Sequence, residues 1–153
     1  MIRTALAALL LAAPAFAQDP TASVPATACN EYTRADAIME PWEANTATYA
    51  NGQVRIAVLD FIEPAAAAVK LMVISPPRDE VGGRQCRIVA LPGGYGFGNV
   101  DFAARSASYD PARRLVVSLP VLQGPPDSGD DGWVQLYISI NQSRGEVSSQ
   151  FHK

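Results

Sequence analysis

With 153 residues and 12 basic against 15 acidic side chains, the chain is of single-domain size and mildly acidic. It has no basic run longer than Arg113-Arg114 to neutralise a phosphate backbone, which argues against a nucleic-acid partner. Its most apolar stretch after the leader, Ala65–Ile74, is broken by Lys70 and is far shorter than the roughly 20 residues of a membrane-spanning helix.

The first 17 residues have the three parts of a secretory signal. Arg3 sits in a short charged start, Ala5–Ala13 is an apolar run, and Pro14-Ala15-Phe16-Ala17 ends in a small-x-small site. Residues 1–17 therefore predict a signal peptide cleaved after Ala17 and an exported chain, periplasmic or extracellular, with no membrane insertion after cleavage. Loss of Arg3 leaves 136 residues at a formal charge of about −4. Gln18–Ala28, rich in Pro, Thr, Ser and Ala without apolar period, reads as a flexible leader, and residues 29–153 as one β domain. Ala26-Thr27-Ala28-Cys29 faintly resembles a lipid-attachment box, but Cys29 lies far beyond the apolar run and behind Pro20 and Pro25.

Thr33 followed by Asp36 resembles a capping box and predicts a short helix over 34–39, ended by Pro41. That helix would lid one end of a sheet and place Trp42 in the core. From Tyr49 onward the pattern becomes strands between turns. Asn51-Gly52 is a turn signal ahead of Gln53–Phe61, where Val54, Ile56 and Val58 share a face. The four alanines after Pro64 favour helix, but the β-branched residues and Pro76-Pro77 that follow make Ala68–Ser75 a strand entered from a loop. Cys86–Leu91 is a shorter strand and Val100–Tyr109 a less apolar one, joined across Asp110-Pro111-Ala112 to Arg114–Leu122. In that last run Leu115, Val117, Leu119 and Val121 alternate, and Pro120 suggests an edge or a strand end. Trp133–Asn141 alternates most cleanly, and 141–145 turns the chain into Glu146–Phe151. The fold class is thus mainly β, an antiparallel β-sandwich or small barrel of about six to eight strands with one short N-terminal helix. The two apolar faces of 68–74 favour the sandwich.

Two cysteines in a chain bound for an oxidising compartment predict one disulfide, Cys29–Cys86. The chemistry is sparse. The one histidine, His152, is next to the C-terminus, where chains fray, and a Ser–His or Cys–His mechanism needs a held imidazole. Asp127-Ser128-Gly129 matches an aspartic-protease tripeptide but follows Gly124-Pro125-Pro126 instead of a burying strand. Asp127, Asp130 and Asp131 could offer oxygens to calcium, yet their spacing departs from the calcium-loop pattern and Ile138 stands at the twelfth position. Asp60 with Glu63 could form a glycosidase pair, although acids at a strand end beside Pro64 read first as turn residues. No cofactor and no metal are expected.

Leu91–Gly98 (LPGGYGFG) is the most distinctive local stretch. It lacks the Lys-Ser/Thr of a phosphate loop. Its four glycines around Tyr95 and Phe97 suggest either aromatics tucked inward as anchors or an exposed recognition tip with both rings on one side. Missing catalytic parts favour an exported domain with a non-catalytic role in binding or assembly, its partner a protein or a small ligand. Two rival readings stay open. One is a hydrolase working with Asp and Glu alone; the other is a calcium-stabilised adhesion or surface module built on the 127–132 loop.

Overall fold

The computed structural model describes residues 23–62, 68–111, 114–124 and 132–152. The expected signal peptide, residues 1–17, the acids Asp127, Asp130 and Asp131, and Glu63 lie outside the described residues. Among the described residues, eleven strands form two antiparallel sheets. The first sheet runs β1 (Ser23–Val24), β11 (Glu146–His152), β10 (Trp133–Asn141), β9 (Arg114–Leu122) and β7 (Asn99–Val100), with β8 (Ser106–Asp110) also on β9. The second runs β2 (Ala26–Ala28), β6 (Arg84–Val89), β5 (Val69–Arg78), β4 (Val54–Asp60) and β3 (Thr46–Tyr49). Consecutive strands pair from β3 to β6 and from β8 to β11, β1, β2 and β7 add by longer-range pairing, and the two sheets form a β-sandwich, not a closed barrel.

The period-2 alternation of the apolar residues explains this packing. Val54, Ile56 and Val58 of β4 and Leu71 and Val73 of β5 face Val117, Leu119 and Val121 of β9 and Leu136, Ile138 and Ile140 of β10 in one buried core. Each such side chain contributes about 1.5–3 kcal/mol when fully buried. A second, smaller cluster lies on the outer face of the second sheet, where Ala57, Leu59, Ile88 and Ala90 meet Ile38, Phe61 and Met72. The double-faced apolar pattern of β5 is thus satisfied on both sides.

Several expectations are corrected. Ser23–Ala28 is not loose: Ser23 and Val24 pair with Gln150 and Ser149, and Ala26–Ala28 pair with Val89–Arg87. Pro25 stands between the two short strands, so one extended segment hands over from one sheet to the other. Backbone pairing, which needs no apolar period, holds it there. No Thr33 cap forms, because the Thr33 hydroxyl bonds within the Asn30 turn and Asp36 pairs with Arg34. Only a 3₁₀ turn, Ala35–Ala37, and a four-residue helix α1 (Trp42–Asn45) result. Trp42 stays 48% exposed instead of entering the core, since so short a helix buries no face.

Pro76-Pro77 does not end β5. The strand continues to Arg78 through an irregularity between Ser75 and Arg78, where the Gln85 amide donates to both the Ser75 hydroxyl and the Pro76 carbonyl. Pro120 is not at an edge either, because β9 lies between β10 and β7/β8. The missing N–H matters on the β7/β8 side. β7 pairs with Val121 and Leu122, β8 with residues 114–118, and between them the Asp101 N–H donates to the Pro120 carbonyl. The neighbouring strand divides where the proline cannot donate. The 141–145 turn forms as expected, with Gly145 at φ 71° and its N–H donating to the Asn141 carbonyl.

The candidate binding groove

The Cys29–Cys86 disulfide is formed, with Cα atoms 5.4 Å apart. Cys29 directly follows β2, and its N–H donates to the Cys86 carbonyl, so the bridge extends the β2–β6 ladder by one position. From there the chain crosses the outer face of the second sheet as a strap. Its far end is fixed by a bridge from Ile38 to Leu59 and by the Met39 N–H donating to the Val58 carbonyl. Within the strap Asn30 builds a tight turn, its side-chain oxygen accepting from the Tyr32 N–H at 3.1 Å and its carbonyl from the Thr33 N–H at 2.9 Å. That turn directs the Tyr32 ring outward, 67% exposed.

The glycine-rich loop lines the same recess. Pro92–Gly94 makes a 3₁₀ turn in which Gly93 and Gly94 both sit at φ 82°, a conformation that favours glycine. Tyr95 follows, 64% exposed, with its ring lying back against Gly93, where a Cβ would sit 3.2 Å from the ring. Phe97 goes the other way and is fully buried. Its backbone exchanges two hydrogen bonds with Val69, and its ring meets Phe151 edge to face at 6.5 Å. The expectation that both rings share one side therefore fails for Phe97. The loop is not a simple extended tip: the turn ahead of Tyr95 and the Val69 bridge at Phe97 aim the two rings separately.

Strap, loop and sheet face enclose an open recess of about 700 Å³. Its floor is formed by Thr27, Lys70, Ile88 and Ala90, with Phe61 beside them and Asn30, Tyr32, Thr33 and Tyr95 around the rim. The Lys70 ammonium lies 4.9 Å from the centre of the Phe61 ring, a cation–π contact. Among the described residues, Lys70 is the one charged side chain in the lining.

The other candidate residues lie elsewhere. Asp60 ends β4, and its carboxylate accepts from the Ile62 N–H at 2.9 Å, which makes it a turn-forming residue in this structure. His152 is not frayed but sits in β11 opposite Gln135, its ring 5.7 Å from that of Tyr137. Among the described residues, no three His, Cys, Asp or Glu side chains converge as a metal cluster, and no helix is long and apolar enough to cross a membrane. The sequence singles out Tyr95 and Cys29 but not Tyr32, Phe61 or Lys70. Lys70 does leave a signal, as the one charge inside the most apolar run. Comparison with known proteins finds no matching family, no matching curated protein and no matching solved structure.

Proposed function

We propose that this chain is an exported, non-catalytic binding domain and that the recess on the outer face of its second sheet is the binding site. The observation that carries the reading is the pair of exposed tyrosines, Tyr32 and Tyr95, set by two independent backbone turns and both lining one recess. Tyrosine offers a large contact area at low entropic cost, and a preformed recess of this size is in the range of small-ligand sites. Export is supported by the three-part leader and by a disulfide, which persists in oxidising compartments.

The test is a native pull-down from the extracytoplasmic fraction with the wild-type chain and with Tyr32→Ala and Tyr95→Ala. Loss of the bound material with unchanged melting supports the site. Retained capture by both variants overturns it. Intact mass of exported protein tests the export half, with Gln18 expected as the first residue.

A further inference from the structure

We propose that the ligand of this recess is an acidic saccharide, a short oligosaccharide carrying a uronic-acid carboxylate, with Lys70 as the residue that reads the carboxylate. The inference rests on the recess being the binding site and goes on to name what fills it. Three properties of the lining argue together.

The first is charge. Among the described residues, Lys70 lies in the recess with no carboxylate in the lining, and the one ion pair, Arg34–Asp36, does not involve it. Phe61 holds the ammonium in place through its ring face without neutralising it. A localised positive charge at a concave surface attracts an anion. A single lysine matches a single carboxylate better than a polyphosphate, which calls for several basic groups.

The second property is shape. Tyr32 and Tyr95 offer flat apolar faces with hydroxyls at their tips, suited to the C–H face of a pyranose ring and its polar rim. Gly94, where a Cβ would meet nothing within 4 Å, leaves part of the loop wall open to close approach of a ring, while Gly93 is covered by the Tyr95 ring and Gly96 is buried.

The third is polarity. Asn30, Thr27 and Thr33 place amide and hydroxyl groups in the lining, while its aliphatic part is small, made of Ile88, Ala90, Ala68 and Ala28. A deep apolar pocket would select a hydrophobic side chain. Lys70 and Ile88 lie on β5 and β6, both interior strands, and among the described residues the only edge strand in the lining is the three-residue β2 with Thr27 and Ala28, so the floor offers an extended peptide little open ladder to join. A ligand with one small apolar face, a hydroxylated rim and one negative charge fits what remains.

The experiment titrates the disulfide-bonded mature chain calorimetrically with trimers of galacturonic, mannuronic and glucuronic acid, each beside its neutral methyl ester. At least one acidic trimer is expected to bind about tenfold more tightly than its ester, the effect of one charge-assisted hydrogen bond. The preference should shrink as salt is raised. Lys70→Met should abolish the preference, so that acid and ester bind alike, while Tyr95→Ala should weaken both. If no acidic trimer binds at millimolar concentration, or if the preference survives Lys70→Met, the saccharide assignment is overturned. The tyrosine pull-down reports separately on the site, so loss of capture in Tyr95→Ala with no trimer binding would leave the recess in place with a different ligand. Saccharide binding unaffected by both tyrosine substitutions would remove the recess itself.

Discussion

The rings of Phe97 and Phe151 meet edge to face with their centres 6.5 Å apart, which ties the glycine-rich loop to the last strand through the core. Two residues earlier, Tyr95 points to solvent. The short stretch between them therefore separates a folding role from a surface role, and the separation is measurable. Phe97→Ala should cost about 3–5 kcal/mol in urea denaturation, the usual cost of emptying a buried aromatic site. Tyr95→Ala should stay within about 0.5 kcal/mol of wild type, as surface substitutions do.

Reduction of Cys29–Cys86, or its double replacement by serine, should lower stability by about 4 kcal/mol on the chain-entropy account of a 57-residue separation. The same change should weaken ligand binding, because the bridge fixes the strap that carries Asn30 and Tyr32. Denaturation curves with and without reductant, followed by titration of the reduced protein below its midpoint, check both parts.

Gly145→Ala should destabilise more than Gly82→Ala. Both positions have φ in the left-handed region, at 71° and 88°, and that conformation alone costs a side-chain-bearing residue about 1–2 kcal/mol. A Cβ at Gly82 meets nothing within 4 Å, whereas one at Gly145 would lie 2.6 Å from the Pro77 ring. Paired chemical denaturation of the two variants measures the difference.

Ser149→Ala should cost roughly 1 kcal/mol, the net value of one buried hydrogen bond. The Ser149 hydroxyl donates to the Val24 carbonyl at 3.0 Å, a contact between residues far apart in the chain. Amide hydrogen exchange at Val24 and its neighbours should speed up in the variant well before the core strands respond.

The strands that alternate cleanly are legible in the amino-acid order alone. Arg114–Leu122 and Trp133–Asn141 announce themselves because one face is buried more fully than the other, which leaves a period of two, and Val54–Asp60 does so through Val54, Ile56 and Val58 although Ala57 and Leu59 are buried on its other face. Ser23–Val24, Ala26–Ala28 and Thr46–Tyr49 leave no such mark. They are held by ladder hydrogen bonds, which every residue except proline can both donate and accept. Pro120 misleads for a related reason: it signals a break in a ladder, and the break falls in the neighbouring strand. At the site, the glycines and Tyr95 are visible as an unusual local run. The recess itself is not, because Asn30, Tyr32, Phe61 and Lys70 are brought together only by the strap and the sheet face.

The segment Ser23–Ala28 belongs to both sheets at once, paired with β11 before Pro25 and with β6 after it. Six residues thus cover a flank of each sheet. A chain clipped after Ala28 would present the open sides of β11 and β6 together, two unpaired rows of N–H and C=O groups facing water. Rows of that kind are templates for another strand. The same segment donated from a second molecule has the right sequence to fill the gap it left, so proteolytic trimming at this end would favour exchange and self-association over a simple loss of stability.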